Sequence, residues 1–180
     1  MERYIQIPKK FRGIETDRTD KLDKYWKENL FITGDVGVGK SVFAANIAKK
    51  ILDSGELKET PDGFIDSRVG VKWINYTKFV IQLKGGFNGR FSDDLSPWEI
   101  AEKIAAFKGV LFIDDLGVEK NTDFVKEITY FIINEREANE KDLIITSNLG
   151  LEDLEQRVAS RIAGMCKIIR LKGKDRRING

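Results

Sequence analysis

Residues 34–41 read Gly-Asp-Val-Gly-Val-Gly-Lys-Ser and contain a complete G-x-x-x-x-G-K-[ST] pattern. The apolar run Leu30–Thr33 precedes this stretch, and a helix-like run over residues 42–48 follows it. A strand, a glycine-rich loop and a helix in that order form the setting in which this pattern binds phosphate. Glycines let backbone N–H groups curl around an anion, and the start of the helix adds partial positive charge. The stretch therefore predicts a loop that binds a nucleoside triphosphate.

The residues of this loop have distinct expected roles. Lys40 can reach the β- and γ-phosphates of a nucleotide, and the Ser41 hydroxyl can ligate magnesium. The predicted cofactors are therefore ATP or ADP together with Mg²⁺. A glycine-rich turn before an unrelated helix is the alternative, which the context on both sides disfavours. The predicted nucleotide-binding residues are Gly34, Asp35, Val36, Gly37, Val38, Gly39, Lys40, Ser41 and Val42.

The composition fits one globular domain and excludes several kinds of chemistry. The chain has 180 residues, of which 41% are hydrophobic and 33% are charged. It has no histidine, which excludes Ser-His-Asp and Cys-His catalysis and His-ligated metals. Its single cysteine, Cys166, lies in an apolar run and predicts a buried structural thiol. A net charge of +2 does not by itself indicate a nucleic-acid partner. No signal peptide or membrane span is apparent, so a cytoplasmic protein without a membrane partner is predicted.

Strand-like and helical runs alternate along the chain, which predicts a three-layer α/β fold with a parallel sheet. Two of the strand-like runs are apolar at consecutive positions, as expected for strands covered on both faces. The predicted strands are residues 30–33, 71–76, 109–115, 142–147 and 167–171. The predicted helices are residues 42–53, 77–83, 97–107, a stripe over 124–132 capped by Thr122 or Asn121, and 151–163, ended by Gly164.

A second motif, at residues 110–115, reads Val-Leu-Phe-Ile-Asp-Asp and has the Walker B pattern. A buried strand of this kind carries its carboxylates to the edge of the sheet where the phosphate loop lies. Asp114 would then hold magnesium through water, and Asp115 would act as general base on the attacking water. The alternative is a strand that ends in a solvated acidic turn.

Three further polar side chains each have a functional and a structural interpretation. Asn148 follows the apolar strand of residues 143–147 and could hold the lytic water or contact the γ-phosphate, or it could cap the next helix. Arg157 and Arg161 share one helix face. One of them could enter the site of a neighbouring subunit as an arginine finger, or both could form a solvated pair balanced by nearby carboxylates.

Together these motifs resemble the AAA+ ATPase module, and within it the helicase loaders of the DnaC/DnaI type. IstB-like transposition helper ATPases share nearly all of them. The resemblance spans almost the whole chain. The blocks that carry it are residues 34–41, 111–117, 146–149 and 157–162, together with the opening Ile-Pro-Lys-Lys-Phe-Arg at 7–12.

The resemblance implies a P-loop fold with five parallel strands, in which the strand before Asn148 lies between those of the phosphate loop and Asp114. It makes Asn148 a sensor 1 residue and gives the arginine-finger role to Arg157, with Arg161 as second choice. The tail of the loaders carries an arginine in a Gly-x-x-[RY]-R setting. Arg177, or alternatively Arg176, is thus expected to reach the nucleotide.

The resemblance also implies a domain organisation. Residues 1–180 would form a single ATPase domain, with a lead-in segment at 1–29, a helical insertion at 77–107 and a basic tail at 172–180. The insertion is expected to line the path of single-stranded DNA, with Lys84 and Phe87 as contacts, although Phe87 could instead pack under the loop. The C-terminal helical lid of ordinary AAA+ modules has no counterpart in the sequence, and the loaders lack this lid too. The helicase-binding N-terminal domain of the loaders also has no counterpart.

The function implied is that of a bacterial or phage-encoded helicase loader, an ATPase that binds single-stranded DNA. Its expected partners are a replicative hexameric helicase, bound through the N-terminal domain, further copies in a nucleotide-dependent oligomer or filament, and an initiator ATPase. Asp115 is one methylene shorter than the Glu of many AAA+ motors, which favours slow, assembly-dependent hydrolysis. The alternatives are a transposition helper, a nucleotide-gated binding module with negligible hydrolysis, and a small-molecule kinase.

Overall fold

The computed structural model describes residues 6–54, 58–59, 65–66, 70–85, 95–117 and 122–175. Five strands in these ranges form one parallel sheet of order β4-β5-β6-β1-β7, and β2 and β3 form a separate antiparallel pair. The strands are β1 (Leu30–Thr33), β2 (Lys58–Glu59), β3 (Ile65–Asp66), β4 (Val71–Asn75), β5 (Val110–Leu116), β6 (Leu143–Ser147) and β7 (Lys167–Arg170). The parallel sheet is confirmed, and β6 lies between β5 and β1 as predicted.

Helices cover both faces of this sheet. Alternate strand residues enter opposite cores, so Phe31 packs with α4–α7, whereas Ile32 packs with α3. The apolar, consecutive strand residues are thus buried on both faces, and the three-layer fold is confirmed. The helices are α1 (Lys9–Arg12), α2 (Thr19–Tyr25), α3 (Lys40–Ser54), α4 (Tyr76–Gly85), α5 (Pro97–Ala106), α6 (Asp123–Ala138) and α7 (Gln156–Met165), with a 3₁₀ helix at Leu151–Asp153.

Local sequence signals start two of these helices. Ser96 and Glu99 form a reciprocal capping box at α5, where each side chain bonds the other residue's backbone N–H. Hydrogen bonds from Ser96 lower the pKa of the exposed Glu99 carboxyl. At α6, the Thr122 side chain accepts a hydrogen bond from the Val125 N–H. Of the two predicted caps for this helix, Thr122 therefore fills the role.

The predicted helix over residues 151–163 is wrong at both ends. A 3₁₀ turn ends at Leu154, whose backbone is extended, and α7 begins only at Gln156. This break lets Leu151 and Leu154 both pack against the core beneath α6 and α7. Gly164 does not end α7 either, because the helix runs to Met165 and the extended Cys166 leads into β7. A left-handed glycine is not needed where the chain continues straight into a strand.

Cys166 is buried at the junction of α7 and β7, as predicted for a structural thiol. Burial raises the pKa of this thiol to about 12, so it stays protonated at neutral pH. No helix within the described ranges combines the length and apolarity required to cross a membrane.

The described part of the lead-in segment, residues 6–29, packs on the α3 side of the sheet. Ile7 and Phe11 are buried in the same core as the apolar face of α3. Two side chains of α3 hold the segment by its backbone, since Asn46 Nδ2 and Lys49 Nζ donate to the carbonyl oxygen of Ile14 at 3.0 and 2.8 Å. The segment is therefore an integral part of the α3 layer.

Candidate nucleotide site

The phosphate loop joins the end of β1 to the first residue of α3. Gly34, Gly37 and Gly39 have φ angles of 145°, 79° and 93°, a region that favours glycine. Lys40 is only 5% exposed, and its Nζ donates to the carbonyl oxygens of Gly34 and Asp35, both at 2.7 Å. The loop therefore holds the ammonium group in place at the N-terminus of a helix, an arrangement suited to binding anions.

The segment after β7 crosses this loop. The Leu171 N–H donates to the Thr33 carbonyl at 2.7 Å. A Cβ atom on Gly34 would lie 2.2 Å from the Leu171 carbonyl oxygen, and one on Gly37 would lie 1.9 Å from Asp175 Oδ1. Gly34 is thus needed for close approach of the backbone as well as for its φ angle, whereas at Gly37 the flexible Asp175 side chain could move and the φ angle is the stronger constraint.

Asp114 lies at the end of β5, against the first turn of α3. Its side chain is buried, and the Thr146 hydroxyl donates to its Oδ1 at 2.7 Å. Burial raises the pKa of the Asp114 carboxyl, whereas the nearby hydroxyls of Ser41 and Thr146 lower it. The structure thus brings together the two predicted magnesium ligands, Ser41 and Asp114.

Asp115 adopts a conformation unusual for a residue with a side chain. Its φ is +63°, and the register between β5 and β6 shifts between Ile113 and Leu116. This β-bulge takes Asp115 out of the regular ladder. Its backbone N–H donates instead to Thr146 Oγ1 at 3.0 Å. Asp115 is half-buried and follows Asp114 directly in the chain.

Asn148 follows β6, between the ends of β1 and β5. It lines a cavity together with Thr33, Gly34 and Asp35 at the start of the phosphate loop. The N-cap of the following 3₁₀ helix is Gly150, so the capping interpretation of Asn148 is wrong. Its position beside the loop is the one required of a residue that contacts the nucleotide.

Arg157 and Arg161 both lie on α7, at the outer surface of the domain. Arg157 Nε bonds Glu155 at 2.7 Å, and its guanidinium lies 4.9 Å from the ring centroid of Tyr130. Arg161 Nη1 bonds Glu137 on α6 at 2.9 Å. Neither arginine lines the cavity beside the chain's own phosphate loop.

Four predicted residues remain, namely the two DNA contacts and the two arginines of the tail. Lys84 is exposed in the last turn of α4. Phe87, Arg176 and Arg177 lie outside the described residues. The structure also shows a groove between β4, α4 and α5, and the sequence did not indicate that these residues come together. Three lysines line it, Lys72, Lys78 and Lys103, together with apolar residues such as Phe79 and Ile100.

Comparison with known sequences and structures gives the following relatives. No family model matches the chain. The chromosomal replication initiator protein DnaA of Campylobacter jejuni is 28% identical over 149 residues, which cover 80% of this chain and 29% of DnaA. The chain therefore spans less than a third of the length of this relative.

Two solved structures share the fold over nearly the whole chain. The DnaC helicase loader has a TM-score of 0.65 at 19% identity, covering 96% of this chain and 100% of that one. AMPPCP-bound DnaA from Aquifex aeolicus has a TM-score of 0.66 at 14% identity, covering 95% and 53%. With its phosphate loop, acidic strand end and parallel sheet in place, the chain has the fold of an AAA+ ATPase domain, similar to those of DnaC and DnaA.

Proposed function

We propose that the chain is the ATPase core of a replicative helicase loader, which binds ATP with Mg²⁺, assembles through shared nucleotide sites and binds single-stranded DNA. The observation that carries this proposal is the convergence of Lys40, Ser41 and Asp114 at one end of an AAA+ sheet. The structural similarity to a helicase loader, over 96% of this chain and 100% of that one, supports the choice among AAA+ functions.

The oxygen atoms at the site fit magnesium. Mg²⁺ prefers oxygen ligands, often one or two carboxylates with water and phosphate oxygens, and Ser41 and Asp114 offer a hydroxyl and a carboxylate. Bound there, the ion would neutralise charge on the β- and γ-phosphates. Lys40 would hold the same phosphates, Asp115 would take a proton from the attacking water, and Asn148 would orient that water.

A second subunit would complete the site. Arg157 and Arg161 face outward on α7, and they do not line the cavity beside their own phosphate loop. Arg157 is the more exposed of the two, with 59% of its side chain accessible against 43% for Arg161. We infer that Arg157 enters the nucleotide site of a neighbour and stabilises the charge that develops in the transition state.

Mixing two defective variants tests the shared site. Arg157→Ala should lower assembly-dependent ATP turnover by about a thousandfold, because an arginine finger contributes 10³–10⁵ in rate. Its nucleotide affinity as a monomer should be unchanged. Lys40→Ala keeps Arg157 but lacks the phosphate-binding lysine, so mixing the two proteins should restore turnover at the mixed interfaces. Arg161→Ala is the matched control, and a larger loss there would assign the finger to Arg161. Absence of any recovery on mixing contradicts a site shared in trans.

The groove at the edge of the sheet is the proposed path of single-stranded DNA. Lys72, Lys78 and Lys103 supply positive charge along it, and the phosphate backbone is negative. Apolar side chains between them suit the faces of unstacked bases. Lys84 extends the same charge along α4, and Phe87 keeps its proposed role as a stacking residue.

The DNA proposal is tested by removing two of these charges. Lys78→Ala combined with Lys103→Ala should weaken single-stranded DNA binding and flatten its salt dependence by about 1.4 in log–log slope, at about 0.7 per phosphate contact. ATP binding should be unaffected. Lys24→Ala with Lys50→Ala removes the same charge from the α2–α3 side and should leave the slope unchanged. Binding of duplex DNA that equals or exceeds that of single strands would favour the transposition-helper function.

A further inference from the structure

Thr146 makes two hydrogen bonds at the candidate site with one buried hydroxyl. It lies in β6 and is 1% exposed. Its Oγ1 donates to Asp114 Oδ1 at 2.7 Å and accepts from the Asp115 N–H at 3.0 Å. The same oxygen therefore contacts the side chain of one proposed functional acid and the backbone of the next.

The β-bulge explains why a hydroxyl is required at this point. The regular pairing of β5 with β6 stops at Ile113 and resumes at Leu116, so the ladder does not continue through Asp115. A buried N–H without a partner is destabilising, and the left-handed φ of Asp115 adds strain. The Thr146 hydroxyl takes the place of the missing ladder acceptor, which holds Asp115 in this conformation.

The bond from Thr146 to Asp114 also restricts the rotation of the Asp114 carboxylate. A carboxylate rotates about its last torsion with broad, roughly two-fold preferences. The bond from Thr146 to Oδ1 restricts that rotation. Thr146 also lies two residues before Asn148, on the strand that leads to the proposed γ-phosphate contact.

We propose that Thr146 is a positioning residue for hydrolysis, which orients Asp114 through its side chain and Asp115 through its backbone. This inference rests on the proposed ATPase function. It couples three proposed roles, because a shift of β6 at Asn148 would be transmitted through Thr146 to both acids. A buried threonine that only fills space would make no such link.

The test compares a variant of Thr146 that lacks the hydroxyl with one that retains it. Thr146→Val keeps the shape and removes the hydroxyl, whereas Thr146→Ser keeps the hydroxyl and removes the methyl group. We expect kcat for ATP to fall about ten- to a hundredfold in Thr146→Val and to stay within about threefold of wild type in Thr146→Ser. The dissociation constant for ATP without Mg²⁺ should stay within about twofold in both variants. A packing role predicts the reverse order, with the serine variant the more impaired, and that order would overturn the proposal.

Two additions keep the result decisive. If Thr146→Val does not fold, Thr146→Ser and Thr146→Ala form a second pair, and equal kcat values in these two would overturn the inference. Thr129→Val, a buried threonine-to-valine change on α6, should leave kcat unchanged.

The turnover of the wild-type protein tests the proposed ATPase function independently of Thr146. If wild type binds ATP without hydrolysing it, the gain in ATP affinity on adding Mg²⁺ becomes the readout, and an undiminished gain in Thr146→Val would overturn the proposal.

Discussion

Replacing Lys40 with alanine is expected to weaken ATP binding by about a hundredfold, as measured by titration calorimetry. The hydrogen bonds that a lysine ammonium makes to phosphate are charge-assisted, and bonds to charged groups contribute about 1.5–3 kcal/mol. A loss of about 3 kcal/mol corresponds to a little over a hundredfold in affinity. The carbonyls of Gly34 and Asp35 already hold Nζ in place, so binding does not require this side chain to be ordered first.

The matched control for Lys40→Ala lies on the same helix. Lys50 is in α3, and its side chain pairs with Asp23 instead of facing the loop. Lys50→Ala removes the same charge and the same methylene groups, and it should change ATP affinity by less than about twofold. Both variants should be folded by thermal denaturation. Retention of wild-type affinity in a folded Lys40→Ala protein would show that the nucleotide is bound elsewhere.

The parts of the site that could be predicted from the sequence are those in which residue type alone restricts the backbone. The glycine-rich pattern at 34–41 indicated a loop between a strand and a helix, and this loop is observed between β1 and α3. The φ angles of its three glycines lie in the region that favours glycine. Four consecutive apolar residues before Asp114 indicated a strand covered on both faces, as observed for β5. These signals are local, so they do not depend on which elements pack together.

Other features depend on contacts between distant segments and could not be predicted. The link from Thr146 to Asp114 requires the register of β5 against β6, including the bulge at Asp115. The break at Leu154 interrupts an apolar stripe that is regular in sequence, and Leu154 still packs against the core. Asn148 had two local interpretations, of which the helix cap was slightly favoured by the residues alone. The observed cap at Gly150 excludes that interpretation.

Arg136 is the most consequential residue that sequence reasoning did not identify. It is completely buried in the last turns of α6, where a solvated basic residue would be expected. Its Nη1 donates to the carbonyls of Ala105 and Phe107, and its Nη2 donates to those of Gly109 and Asp142. These carbonyls come from the end of α5 and from the segments that lead into β5 and β6. One guanidinium therefore holds together the backbone that leads into the groove beside α5 and into the strand of the acidic pair.

Replacing Arg136 with methionine should lower the free energy of unfolding by about 3 kcal/mol and the melting temperature by roughly 6–12 °C. Burial lowers the pKa of Arg136 to about 10, so the guanidinium is still charged at neutral pH. The methionine variant therefore avoids the free-energy cost of burying this charge. In the variant, however, the carbonyls of Phe107 and Gly109 lose the bonds from Arg136, whereas those of Ala105 and Asp142 keep bonds from Lys141 Nζ and the Leu111 N–H. The cost of burying the first two carbonyls without this donor is the larger effect. Lys126→Met, on the same helix, removes only a surface pair with Asp123 and should change stability by less than about 0.5 kcal/mol. If Arg136→Met lowered stability by less than about 1 kcal/mol, water would have to reach these carbonyls in its place.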